Sequence, residues 1–188
     1  MKAHKLFILS FLSCANLLQG EILSVDVFWA HGSCRDSCTK ILETQLRQTK
    51  EIESVSTSTT SNMASITWKK TEPFTYKALK LPFQRVGVGI DNIRVKVKGT
   101  LSPSKDRIVL VSSENKTTFD LVSLNKAKGT PALLSLDPQF RATFLEYAEK
   151  RTPVIIEGAL YQAHRSPPLY LLVEKVTVAE EKKEKITY

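Results

Sequence analysis

Past residue 20 the apolar positions fall into runs of period two and runs of helical spacing, and each change of period marks a new element. Leu23, Val25, Val27 and Trp29 recur at every second position, which predicts a half-buried strand over residues 22–29. Ile41, Leu42 and Leu46 then recur at helical spacing, with Lys40, Glu43, Arg47 and Lys50 on the other side, and predict an amphipathic helix over 39–50. Asp36 or Ser37 is placed to cap it. Residues 52–59 are rich in Val, Ser and Thr, and in 63–69 Ala64, Ile66 and Trp68 alternate with polar residues; the Ser61-Asn62 turn signal between them makes a hairpin. Pro73 suits the first turn of a second helix carrying Phe74, Leu79, Leu81 and Phe83, which Pro82 would end or kink. After the break at Gly87 and Gly89, a long strand over 90–101 has Ile93, Val95 and Val97 on one side.

The rest of the chain reads in the same way. Residues 93–101, 107–112 and 117–124 are three β-rich runs separated by turn signals at 102–106 and 114–116, a meander. A loop containing Lys126, Ala127, Lys128 and Gly129 leads to Asp137-Pro138 and a helix over 139–150, with Phe140, Phe144, Leu145 and Ala148 on one face. Strands over 154–163 and 169–178 follow, separated by 164–168.

The first six elements, strand, helix, strand, strand, helix, strand, are in the split βαβ or ferredoxin-like order. Three strands, a helix and two strands is the order of an OB-fold, in which the helix plugs the barrel between the third and fourth strands. Gly99 and Gly158 stand where barrel strands bend sharply. The predicted class is α+β: a ferredoxin-like βαββαβ domain over 21–91, then an OB-like five-stranded β-barrel with one helix over 92–178, then a charged tail over 179–188. One strand closes the first sheet and starts the barrel, which favours a rigid pairing over a flexible linker.

Residues 1–20 read as a secretory signal peptide. Lys2 and Lys5 precede an almost wholly apolar run over 6–18, and Gly20 is small enough for a peptidase site. The run falls short of the ~20 residues that a membrane-spanning helix needs. Leu12-Ser13-Cys14 resembles the end of a bacterial lipobox, with Phe11 where that pattern prefers leucine. Lipidation at Cys14 would give membrane association; otherwise Cys14 is discarded with the signal. The expected location is the exterior of the cytoplasm, in the bacterial periplasm or envelope.

Export changes what the charge and the cysteines mean. A net charge of +8 would point to nucleic acid in the cytosol, but outside it a basic surface meets anionic lipid, envelope polysaccharide or an acidic protein, so no nucleic acid is expected. Without Cys14, Cys34 and Cys38 are the only cysteines. Two thiols in an exported chain read first as one disulfide. Closing so short a loop removes little unfolded-state entropy, about 2 kcal/mol, so stapling is a weak reason for the pair. Soft-metal binding and thiol–disulfide exchange stay open beside it. The helix N-terminus and Arg35 favour the thiolate, and Asp36 opposes it.

Cys34 and Cys38 ahead of Ile41, Leu42 and Leu46, followed by Ile52-Glu53-Ser54-Val55 and Ala64-Ser65-Ile66-Thr67-Trp68, resemble the heavy-metal-associated domain of copper chaperones and metal-transporting ATPases. The resemblance covers residues 22–100. It implies Cu(I) or another soft ion held by two thiolates, with Cys38 matching the helix-start cysteine and Cys34 approximating the loop cysteine, and a metal donor or acceptor protein as partner. The family motif is Cys-x-x-Cys, whereas here three residues separate the cysteines and Gly32-Ser33 replaces the usual Met-x pair. His31, just ahead of the loop, is a candidate third ligand.

The barrel half offers a second candidate. OB-folds bind oligonucleotides or oligosaccharides with aromatic and basic side chains, and Tyr161, His164, Arg165 and Tyr170 flank the last loop. Asn115-Lys116-Thr117 matches the N-glycosylation triplet, which matters only in a eukaryotic secretory pathway. Phosphate loops, His-Glu-x-x-His pairs and nucleophile elbows are missing from the sequence, so thiol oxidoreductase is the one enzyme class left open. Three readings result: soft-metal capture and hand-over by Cys34 and Cys38, an interaction module with a Cys34–Cys38 disulfide that binds an envelope protein or polysaccharide, or a thiol–disulfide exchange protein.

Overall fold

β1 (Ile22–Phe28) is held on both edges, by β3 (Met63–Trp68) and by β4 (Asn92–Ser104), and β3 also pairs with β2 (Ile52–Ser58). All three pairings are antiparallel, and the row runs β2-β3-β1-β4. α1 (Asp36–Arg47) leads from β1 to β2, and α2 (Tyr76–Arg85) from β3 to β4. This computed structural model describes residues 21–112, 114–123, 135–164 and 168–179. Residues 1–20, expected as a signal peptide and including Cys14, the loop with Lys126, Ala127, Lys128 and Gly129, Arg165, and the tail beyond Ala179 lie outside the described residues.

The alternation in β1 is reset by a bulge. Ile22 registers with Val97 but Ser24 with Lys96, so Leu23 is the extra residue. Ile22 is therefore buried with Val25, Val27 and Trp29, and Leu23, expected on that face, is half-exposed. Ile22→Ala should lower the unfolding free energy by about 2 kcal/mol or more, and Leu23→Ala by less than about 1 kcal/mol. Urea midpoints for the two variants check this; equal losses would put Leu23 in the core.

α1 starts three residues ahead of the expected helix, which brings Cys38 into its first turn. Its inward stripe is Thr39, Leu42 and Leu46, at i, i+3 and i+7; Ile41 falls off that stripe and is 55% exposed. Glu43 ties the helix to β2, accepting hydrogen bonds from Thr57 Oγ1 (2.7 Å) and from Arg47, and the Thr57 bond, with Arg47 second, holds its carboxyl below the usual range. α2 starts after Pro73 and not with it. Phe74 precedes the helix, its ring 4.9 Å from that of Trp68. Pro82 is buried inside α2, which continues three residues beyond it, and Leu81 points outward because Ala78, Leu79, Pro82 and Phe83 form the buried face.

β4 continues past the first row. It pairs with β7 (Val154–Tyr161) over Arg94 to Gly99 and with β5 (Arg107–Val111) over Thr100 to Ser104. β5 pairs with β6 (Thr118–Val122), β6 runs parallel to β8 (Leu169–Val178), and β8 pairs with β7, so β4-β5-β6-β8-β7 closes into a ring. The segment 102–106, expected as a turn, is mostly strand: β4 reaches Ser104, Pro103 registers with Ile108, and the chain reverses at Lys105, whose φ is +42°.

Close approach explains two glycines. A Cβ on Gly99 would sit against the Val111 carbonyl oxygen, and one on Gly158 against the Leu172 carbonyl oxygen, both inside 3.0 Å. Opposite Gly158 the register slips, leaving Glu174 as an extra residue on β8.

α3 (Pro138–Glu149) is capped by Asp137, which accepts from Gln139 N at 2.8 Å, with Pro138 at its first position. Phe144 is its fully buried anchor and Phe140 stacks on it at 5.8 Å. Leu145, expected on the same face, is 39% exposed, because the inward stripe runs at i and i+4 through Phe140, Phe144 and Ala148. Among the described residues the architecture is mixed α/β, three helices with one eight-stranded sheet, and a continuous core runs from Leu42 and Phe83 to Phe119 and Phe144.

Candidate functional site

The turn between β1 and α1 is built by its backbone. Ser33 N donates to Ala30 O (3.1 Å), with His31 and Gly32 at the corners and Gly32 at φ +76°, the left-handed value a type II turn needs at its third position. Ser33 Oγ donates to the same carbonyl at 2.7 Å. Cys34 then turns inward and Arg35 takes the N-cap position of α1 without a side-chain capping bond.

Cys34 and Cys38 are joined as a disulfide, with Cα atoms 5.3 Å apart. Their environments differ. Cys34 is 4% exposed and part of the core, whereas Cys38 is only partly buried against it. Thr39 is the residue that sequence reading missed. It is buried, and its Oγ1 lies 3.7 Å from Cys34 Sγ and 3.0 Å from the Arg35 carbonyl, so one hydroxyl proton is shared between a sulfur and a backbone acceptor. The signal was its place on the Leu42–Leu46 stripe, a polar residue where the helix faces inward.

His31 is turned to the β2–β3 turn. Asn62 Nδ2 donates to its Nδ1 at 3.1 Å, and Trp29 N donates to Asn62 O at 3.1 Å. The ring nitrogen nearest the main chain is thus already used. Among the described residues no three His, Cys, Asp or Glu side chains stand together as a metal-holding group, so the structure joins Cys34 with Cys38 and does not group His31 with them. In the disulfide form neither sulfur offers a thiolate.

In the barrel, Tyr161 and Tyr170 face each other across β7 and β8, both half-buried, and Gln162 Nε2 donates to the Tyr161 hydroxyl at 3.2 Å. His164 is exposed in the turn that follows, and Arg165 lies outside the described residues. Tyr170 also registers with Asp120, a buried carboxylate bound by Arg107 at 2.7 Å. That ion pair, invisible in the sequence pattern, places an acid beside the tyrosines. The outer face of β4, β7 and β8 carries Lys96, Glu157 and Lys175 in one cross-strand row, with Glu157 bonded to Lys96 at 2.9 Å. Lys96 first, and Lys175 with it, keep the Glu157 carboxyl ionised to lower pH than usual.

Two other places have a defined shape. Asn115 of the glycosylation triplet is buried, its Oδ1 accepting from Thr117 N, and its Nδ2, the atom a glycan would join, is enclosed without a partner among the described residues. A groove of about 320 Å³ lies between the C-terminal end of α1 and α2, lined by Gln45, Gln48, Ala78, Leu81 and Arg85.

Comparison with protein-family models, with curated proteins and with solved structures found no match for the chain.

Proposed function

We propose that this chain is an exported, non-catalytic protein whose Cys34–Cys38 pair, when reduced, captures Cu(I) or another soft ion and passes it between a donor and an acceptor protein. One observation carries the reading: the fold brings both sulfurs to one turn at the start of α1, close enough to bond and so within reach of one ion. Two thiolates suit a d¹⁰ ion that accepts near-linear coordination. His31 is not needed as a ligand in this form of the site. The strand row β2-β3-β1-β4 with its two helical crossovers supports a ferredoxin-like first half. The β4-β5-β6-β8-β7 ring, with α3 between its third and fourth strands, supports an OB-like second half.

The closed disulfide and the burial of Cys34 favour a second reading, an envelope interaction module that binds a protein or polysaccharide with the disulfide as a structural clasp. Anaerobic titration of the reduced protein with Cu(I) against a competing chelator separates the two. Soft-metal capture requires tight one-to-one binding that is lost in the Cys34→Ser/Cys38→Ser double variant and in the oxidised protein. Binding too weak to compete, or unchanged in the variant, leaves the interaction module.

A further inference from the structure

The two sulfurs of the disulfide are unequal targets. An incoming thiolate attacks a disulfide sulfur from the side away from the departing one. Cys34 is 4% exposed and packed in the core, which hinders approach to it, whereas Cys38 is only partly buried. Thr39 Oγ1, 3.7 Å from Cys34 Sγ, offers a donor to charge developing there.

We infer that the pair is a thiol–disulfide exchange site that opens in a fixed order, with a partner dithiol attacking Cys38 and Cys34 leaving. The partner's thiolate bonds to Cys38 Sγ while the Cys34–Cys38 bond breaks; Cys34 departs as a thiolate, next to the Thr39 hydroxyl, and takes up a proton from solvent. The partner's second thiol loses its proton to solvent and attacks the partner sulfur of the mixed disulfide, and Cys38 leaves as the second thiolate, which in turn takes up a proton from solvent. Two electrons and two protons have then moved from the dithiol, now a disulfide, to Cys34 and Cys38. The inference rests on the same cysteine pair as the soft-metal reading, since only the opened pair offers thiolates to an ion. An assay without metal keeps the two apart.

Arg35 lies between the cysteines, so trypsin separates them into different peptides. The oxidised protein is exposed to reduced glutathione, quenched by rapid alkylation, digested and mapped by mass. Glutathione on the Cys38 peptide with the alkyl label on the Cys34 peptide, in at least about tenfold excess over the reverse, is the expected result. Equal distribution, the reverse distribution or no opening overturns the inference. The single variants give a second reading: the Cys38 thiol of Cys34→Ser should react with an aromatic disulfide at least about tenfold faster than the Cys34 thiol of Cys38→Ser. The difference should vanish in denaturant; a difference that persists there, or none in the folded proteins, overturns the order.

Discussion

Gly158→Ala should destabilise the protein by roughly 3 kcal/mol or more, at the upper end of what one added methyl group does to a packed interior. The methyl would land on the backbone carbonyl oxygen of Leu172, with Leu171 Cδ1 close by, and a backbone oxygen in a strand cannot swing aside as a side-chain tip does. Relief requires β7 to move away from β8, and β7 is also bonded to β4 on its other edge. Gly89→Ala is the control. Gly89 has nothing within 4 Å of the added atom and no left-handed φ, so the change should be neutral or stabilise by a few tenths of a kcal/mol through the unfolded chain. Urea unfolding of the two variants beside the parent measures the difference, and equal midpoints would mean that the strands at Gly158 are not so closely apposed.

Phe144→Ala should cost about 3–5 kcal/mol, the range for emptying a large aromatic site. α3 has one fully buried side chain, and Phe140 loses its stacking partner with it. With that one buried anchor gone, the helix should detach before the sheet melts. Hydrogen exchange over residues 138–149 should therefore speed up by more than that in β7 and β8, while Leu145→Ala, at a 39% exposed position, should leave both exchange and midpoint nearly unchanged. Uniform acceleration across all elements would show that α3 is not a separate unit of stability.

Much of the element order was legible because its signals are local. Period-two runs at Ile93, Val95 and Val97 and the Asp137-Pro138 start of α3 need no tertiary information. β8 falls on the residues that the alternation marks out, Leu169–Val178. The misses have tertiary causes. The bulge at Leu23 depends on how β1 registers with β4, which no run of seven residues encodes. Ile41, Leu81 and Leu145 look like core residues by type, but a helix's orientation is decided by what it packs on, and all three point outward. At the cysteine turn, the sequence revealed the pair and its place at a helix start, although it put both cysteines ahead of the helix and Cys38 lies in its first turn. It did not reveal that Cys34 faces the core, that Thr39 approaches its sulfur or that Asn62, from a different hairpin, takes up His31. The His31–Asn62 contact depends on residues far apart in the chain, as does the placing of the Arg107–Asp120 pair beside Tyr170.

β4 has a consequence for the time course of folding. Arg94 is in register with Asp26 on one edge and with Ala159 on the other, partners from near opposite ends of the described chain. As the chain is synthesised from its N-terminus, β1 is ready for β4 at once, but the strand that occupies the other edge arrives only after α3 has been made. Closing the ring therefore waits on one of the longest loops in the molecule, which places it among slow, topology-limited folders. Until β7 arrives, the second edge of β4 is open to other strands, and this interval is when the nascent protein is most exposed to mispairing.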